Sequence, residues 1–200
     1  TSELIELFPN HYVHWELEST IKNMQAQARL SGFDLRLASS YRSFERQLKI
    51  WNDKFNGVTK VYDEHQNIID VTTLSPLERI HQICRYSAIP GLSRHHWGTD
   101  FDFFDKAAID NNYQLQLIPE EYSHRGPFAD ATSWLHTHAP LYGFYFPYQG
   151  QTSGVAPEPW HLSYYPLANH FLERIETEPK CLFDLILAED IEGKSAILRN

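Results

Sequence analysis

Ten consecutive residues, Ser93–Asp102, place two imidazoles and two carboxylates beside a glycine. Imidazole nitrogens and carboxylate oxygens are common ligands of protein-bound metal ions. From Thr99 to Phe103, polar and aromatic residues alternate, which predicts a strand with Asp100 and Asp102 on one face. Gly98 lets the chain bend just before that strand. A histidine from the preceding loop and an aspartate on the strand can therefore converge on one ion.

The same stretch offers more ligands than one ion needs. His95 and His96 compete for the imidazole position, and two aspartates are available for the carboxylate position. Adjacent histidines also occur as packed or exposed side chains, so this stretch alone leaves a metal site and ordinary packing as alternatives.

A second segment, Glu158–His161, places a carboxylate and an imidazole three positions apart. The pattern of Trp160–Tyr164 predicts a strand, and Pro159 restricts the backbone that leads into it. His161 would complete a His, Asp and His set, which leaves a fourth position open, as in catalytic zinc sites. Water at such a position has its pKa lowered towards about 7, and Glu158 can accept its proton. Alternatively, Glu158 forms a hydrogen bond with His161 or is a surface charge.

Arg42 lies between a predicted strand at Phe33–Leu37 and a predicted helix at Phe44–Phe55, with Ser43 as the N-cap. Side chains at such junctions often face a pocket, and helix N-termini favour anions. A surface arginine with a local ion pair is the alternative interpretation.

Other patterns predict helices and a hairpin. Apolar residues recur at intervals of three and four between His14 and Leu30, and Ser75-Pro76-Leu77-Glu78 has the form of a capped helix start. Residues 58–62 and 68–72 are predicted to form the arms of a hairpin.

Composition limits the classes of function. The 200 residues are 42% apolar and contain no low-complexity linker, so we expect a single domain over residues 1–200. A net charge of −9 without a basic run argues against nucleic-acid binding. The apolar runs fall short of the roughly 20 residues that span a bilayer. The sequence has no GxSxG motif, which argues against a serine hydrolase of that kind.

Three separated motifs occur in order along residues 38–164: Tyr41-Arg42-Ser43-x-x-x-Gln47, Ser93-x-His95-x-x-Gly98 with Asp102 seven residues after His95, and Glu158-x-Trp160-His161. Together they resemble the zinc D-alanyl-D-alanine carboxypeptidases and dipeptidases of the VanY and VanX type.

The resemblance implies a specific set of site residues. One Zn²⁺ ion would be bound by His95, Asp102 and His161. Glu158 would act as general base and then general acid, and Arg42 would stabilise the substrate carbonyl as it becomes an oxyanion. The resemblance also implies an α+β fold, in which a small antiparallel sheet is flanked by helices and carries the zinc site in a cleft.

Four residues are less firmly assigned by the resemblance. The family usually has a small residue where this chain has Asp100, so an extra carboxylate beside the metal is one interpretation and the choice of Asp102 depends on spacing. His96 is predicted either to line the pocket and contact substrate or to be a packed or exposed side chain. Ser93 and Gln47 match motif positions and are predicted to bind substrate, with local hydrogen bonding as the alternative.

The resulting functional prediction is a zinc peptidase that hydrolyses the C-terminal bond of peptidoglycan-type peptides, as a D,D-carboxypeptidase does. L,D-carboxypeptidase, D-Ala-D-Ala dipeptidase and peptidoglycan endopeptidase activities are alternatives on the same site. A non-catalytic wall-binding module is a further alternative, against which Glu158 and Arg42 argue. We expect peptidoglycan stem peptides or short D-amino-acid peptides as partners, and a monomer. A wall substrate favours the bacterial envelope, whereas recycling of wall fragments would place the protein in the cytoplasm.

Overall fold

The computed structural model describes residues 3–150 and 154–199. The contacts of the chain divide these residues into two compact units. The first unit comprises residues 3–41, 97–150 and 157–170, and the second comprises residues 42–96, 154–156 and 171–199. Each unit has its own cluster of buried apolar side chains. A single domain over residues 1–200 stays a prediction.

Strands account for eight segments of the described chain: Leu4–Phe8 (β1), His11–His14 (β2), Leu35–Ser39 (β3), Val61–Tyr62 (β4), Ile68–Ile69 (β5), Asp100–Asp105 (β6), Phe144–Tyr145 (β7) and His161–Tyr164 (β8). Two antiparallel pairs, β1–β2 and β4–β5, form small hairpin sheets. The remaining four strands form one antiparallel sheet in the order β3-β6-β8-β7. Strand β6 therefore has a hydrogen-bonded neighbour on each side.

The described α-helices are Leu17–Leu30 (α1), Phe44–Phe55 (α2), Pro76–Cys84 (α3), Pro119–Tyr122 (α4), Ala129–His138 (α5), Tyr165–Thr177 (α6), Pro179–Ala188 (α7) and Lys194–Ile197 (α8). Short 3-10 helices occur at Val71–Thr73, Arg94–Trp97, Lys106–Ala108 and Ala139–Tyr142. This mixture of helices with small antiparallel sheets confirms the predicted α+β class. Within residues 3–150 and 154–199, every helix falls short of the length and apolar character that a membrane span requires.

In the first unit, the core lies against one face of β6. Phe101 and Phe103 are 1% exposed and pack edge-on against Phe144 and Tyr122, with ring centroids 5.4 and 5.6 Å apart. Burying a side chain of this size stabilises the fold by roughly 1.5–3 kcal/mol. Because side chains alternate along a strand, Asp100 and Asp102 are directed to the opposite face.

In the second unit, helices α2 and α3 begin at the predicted caps. Ser43 accepts a hydrogen bond from the backbone N–H of Arg46 at 3.2 Å. Ser75 and Glu78 form a capping box, in which each side chain accepts from the other residue's backbone N–H. These contacts satisfy N–H groups that have no partner inside a helix. The predicted hairpin is also present, as the shorter pair β4–β5.

Candidate metal centre

The register between β6 and β8 brings the polar side chains of the two strands together. Asp102 lies opposite His161, and Asp100 lies opposite Ser163. Residues directly opposite each other in an antiparallel pair have their side chains on the same face. His161 therefore projects beside Asp102 and diagonally beside Asp100, with all three side chains buried.

The two ring nitrogens of His161 face different carboxylates. Nε2 lies 2.9 Å from Oδ1 of Asp100. Nδ1 lies 3.2 Å from Oδ1 of Asp102 and 3.4 Å from Oε2 of Glu158. Burial acts against the charged imidazolium, but its hydrogen bonds to these three carboxylates outweigh that effect and raise the pKa of His161 well above its usual value.

Each carboxylate oxygen of Asp100 has a hydrogen-bonding contact. While Oδ1 contacts His161, Oδ2 accepts a 2.6 Å hydrogen bond from the hydroxyl of Thr99. The sequence left open whether this extra carboxylate lies beside the metal. The structure places it at Nε2 of the histidine, whereas Asp102 lies at Nδ1.

A tight turn places Glu158 next to His161. The backbone N–H of His161 donates to the carbonyl of Glu158 at 3.1 Å, and the N–H of Glu158 donates to the carbonyl of Tyr148 at 3.0 Å. The ring of Tyr148 stands edge-on to the imidazole, with centroids 5.0 Å apart. The Glu158 side chain is 14% exposed, so its carboxylate retains access to solvent.

Three residues have the chemistry and spacing of a metal site. His95, Asp102 and His161 are buried, and one ligand atom from each lies within 4.8 Å of the other two. Ligands at roughly 2.0–2.2 Å from a tetrahedral zinc are about 3.4 Å apart. The 3.2 Å between Nδ1 of His161 and Oδ1 of Asp102 matches that separation. Two imidazole nitrogens and one carboxylate oxygen therefore fit a zinc ion.

His95 lies in the 3-10 helix Arg94–Trp97. Its carbonyl accepts a hydrogen bond from the backbone N–H of Arg42 at 3.1 Å. Nδ1 of the adjacent His96 contacts the carbonyl of Arg42 at 2.7 Å, and Nε2 of His96 accepts from the N–H of Gly91 at 3.3 Å. Burial is the main cause of a lowered pKa for His96. His96 therefore holds the backbone of Arg42 in place, consistent with the packed alternative.

Gln47 fixes the guanidinium of Arg42. Nη1 of Arg42 donates to Oε1 of Gln47 at 2.8 Å, and Nε2 of Gln47 donates to the carbonyl of Ala88 at 2.6 Å. Gln47 is fully buried and Ser93 is 3% exposed, and the carbonyl of Ser93 accepts from the N–H of His96 at 3.0 Å. These contacts show local bonding at both residues. Their predicted role in substrate binding stays a prediction.

Several known proteins and solved structures are similar to the chain. It is 36% identical over 112 residues to an uncharacterized protein of Haemophilus influenzae (strain Rd), a match that covers 55% of this chain and 84% of that protein. The fold matches the vancomycin-resistance D,D-pentapeptidase VanY of a VanB-type cassette, solved with Zn(II), at a TM-score of 0.59 and 20% identity, covering 86% of this chain and 84% of that one. The structure of VanYB with D-alanine-D-alanine gives a TM-score of 0.60 at 20% identity, covering 94% and 90%. The LD-carboxypeptidase LdcB gives 0.57 at 20% identity, covering 87% and 74%.

The sequence profile of the VanY family, described as D-alanyl-D-alanine carboxypeptidase, matches residues 10–167. This range contains all three motifs that carried the resemblance. The chain belongs to the VanY family of D-alanyl-D-alanine carboxypeptidases.

Proposed function

We propose that the protein is a zinc-dependent D,D-carboxypeptidase that removes the C-terminal residue of peptidoglycan-type peptides. The grouping of His95, Asp102 and His161 within 4.8 Å is the observation that carries the proposal. Membership of the VanY family supports a peptidase that acts on peptidoglycan peptides. The proposal adds two points to family membership: one bound zinc ion and specificity for D,D peptide bonds.

In this proposal His95, Asp102 and His161 hold the metal, and Glu158 moves the proton. A bound zinc ion would supply Lewis acidity, which polarises a carbonyl and lowers the pKa of bound water towards about 7. Glu158 takes the proton from the attacking water and passes it to the departing amine. Its position beside His161 and its partial exposure suit a carboxylate that exchanges a proton with water at the site, and its role as proton carrier and not as ligand follows the family motif.

We propose that Arg42 stabilises the negative charge that develops on the substrate's carbonyl oxygen during attack. The assignment rests on the family motif and on the way Gln47 and His96 fix Arg42. A charged donor that is held before the reaction stabilises developing charge without reorganising.

Proteins that share this fold differ in substrate selectivity. VanYB was solved with D-alanine-D-alanine, whereas LdcB acts as an LD-carboxypeptidase on the same fold. We propose the D,D activity because the family profile carries that description. L,D-carboxypeptidase, dipeptidase and endopeptidase activities are the alternatives that the experiment separates.

The test is digestion of defined muropeptides with identification of the released fragment. The purified protein is incubated with a pentapeptide muropeptide ending in D-Ala-D-Ala, with a tetrapeptide muropeptide, with free D-Ala-D-Ala and with a cross-linked dimer. Release of one D-alanine from the pentapeptide is expected, with loss of activity in a chelator and recovery on addition of Zn²⁺. Glu158→Gln should lower kcat at least a thousandfold while zinc content is retained, and Glu176→Gln, at an exposed position, should behave as wild type.

Release of a different product would identify a different activity. Preferential cleavage of the tetrapeptide identifies an L,D enzyme, and cleavage of the free dipeptide or the dimer identifies a dipeptidase or an endopeptidase. Binding of muropeptides without release of any product, in the presence of zinc, contradicts the enzyme proposal and supports a wall-binding module.

A further inference from the structure

We propose that Asp100 is a positioning residue that fixes the imidazole of His161 so that Nδ1 is the atom presented to the metal. This inference rests on the proposed metal-dependent function. It assigns different tasks to Asp100 and Asp102 of β6: Asp102 is the ligand, and Asp100 orients the histidine.

The contacts of Asp100 define the orientation of the ring. Oδ1 lies 2.9 Å from Nε2 of His161, and Oδ2 accepts a 2.6 Å hydrogen bond from Thr99. All three carboxylates around the ring can only accept, and the shortest contact, 2.9 Å, is the one at Nε2. In an imidazole whose Nδ1 lone pair is given to a metal, the proton is therefore on Nε2 and is donated to Asp100. Nδ1 is the nitrogen that lies 3.2 Å from Asp102 and 3.4 Å from Glu158.

The strand geometry makes this arrangement rigid. Asp100 and Asp102 are two positions apart on β6, and His161 lies opposite Asp102 in the paired strand β8. The spacing therefore offers one carboxylate to each ring nitrogen. Both side chains are on a strand with neighbours on either side, which holds them more precisely than a loop would.

Burial makes the orientation strongly preferred. Asp100 is fully buried and His161 is 2% exposed. A buried carboxylate requires hydrogen-bond donors, because removing its charge from water is costly. Rotation of the imidazole by half a turn about its bond to the chain would remove Nε2–H from Asp100. The carboxylate thus stabilises one ring orientation, and it also makes the imidazole a stronger metal ligand.

The test compares zinc binding by the full chain and by the variants Asp100→Ala, Asp100→Asn and Asp110→Ala. Zinc affinity is measured by competition with a chromophoric chelator, kcat and KM are measured at saturating zinc, and circular dichroism checks the fold. Loss of a carboxylate that orients a ligating histidine typically weakens metal binding by 10- to 100-fold. We expect Asp100→Ala to weaken zinc binding by about that factor. Asp100→Asn retains an acceptor and should weaken it less, and the exposed Asp110→Ala should bind as wild type.

A second measurement reports on the imidazole ring of His161. Nitrogen-15 spectra of the zinc-loaded protein should show His161 bound through Nδ1 with a protonated Nε2 in the wild type. In Asp100→Ala the Nε2 proton should exchange with solvent at least tenfold faster, while KM at saturating zinc changes less than threefold. A variant that only loosens the fold would not show this selective change.

The outcomes separate the two proposals. If the wild type fails to bind zinc, both the metallopeptidase proposal and this inference are wrong. If the wild type binds zinc and hydrolyses peptide, but Asp100→Ala and Asp100→Asn both bind zinc as tightly as Asp110→Ala, only the positioning role is wrong. If Asp100→Ala does not fold, the near-isosteric Asp100→Asn decides, and unchanged zinc affinity in that variant overturns the inference.

Discussion

Gln47 connects the guanidinium of Arg42 to the backbone of Ala88, through hydrogen bonds of 2.8 Å from Arg42 Nη1 and 2.6 Å to the Ala88 carbonyl. Gln47→Ala removes the acceptor that fixes Arg42. A hydrogen bond to a charged group contributes about 1.5–3 kcal/mol, which corresponds to at least tenfold in rate when it orients a catalytic group. We expect kcat/KM on the D-Ala-D-Ala pentapeptide to fall about tenfold or more while zinc affinity is unchanged. Gln27→Ala, at an exposed position, is the control, and equal kinetics in both variants would contradict the positioning of Arg42.

Zinc should stabilise the fold through the three proposed ligands. A ligand at 100 times its dissociation constant stabilises the native state by about 2.7 kcal/mol, which for a chain of this size raises the melting temperature by roughly 5–10 °C. Differential scanning fluorimetry with and without Zn²⁺ measures the shift. Asp102→Ala should lose most of it, and Asp110→Ala should keep it. A full shift in Asp102→Ala would show that zinc binds elsewhere.

Gly98 has a backbone conformation that a larger residue would strain. Its φ is +70°, and an added Cβ would lie 2.6 Å from Cδ2 of Leu4 and 3.0 Å from the backbone nitrogen of His14. Gly98→Ala should lower the free energy of unfolding by about 2–4 kcal/mol in urea titrations. Gly32→Ala is the matched control, because Gly32 also has a positive φ, +91°, but its Cβ would meet nothing within 4 Å. Equal losses in the two variants would show that close packing at Gly98 is unimportant.

The two free cysteines should differ in reactivity. Burial raises the pKa of the Cys84 thiol to about 11, whereas Cys181 is exposed. The thiolate is the reactive form, and at pH 8 only about one part in a thousand of the Cys84 side chains is ionised. The rate at which Cys84 reacts should therefore rise about tenfold per pH unit up to pH 11. Titration with an aromatic disulfide reagent at pH 8 should show one fast thiol, which Cys181→Ser abolishes. A remaining fast phase in that variant would contradict the burial of Cys84.

Local signals were sufficient to predict several elements. Helices α2 and α3 begin where Ser43 and Ser75 cap them, because a cap depends on residues only three positions apart. The alternation along β6 likewise predicted that Asp100 and Asp102 share a face, since that follows from strand geometry alone. The resemblance to the VanY and VanX type supplied the three candidate ligands, which the fold brings within 4.8 Å of one another.

Features that depend on distant pairing could not be predicted in this way. The helix expected from His14 begins at Leu17, because residues 11–14 pair with β1 instead. The contact of Asp100 with Nε2 of His161 depends on the register between strands sixty positions apart, which the alternation within one strand does not define. Sequence analysis therefore identified the aspartate but not its partner atom.

The pairing of β6 with strands on both sides limits how this protein can change in length. If β8 slipped by one residue, Leu162 would take the place of His161 beside the aspartates, and the imidazole would turn towards the phenylalanine side of the sheet. Insertions and deletions compatible with activity should therefore be confined to segments outside these two strands. Circular permutants and loop grafts designed for this chain should leave the intervals 98–105 and 158–164 intact.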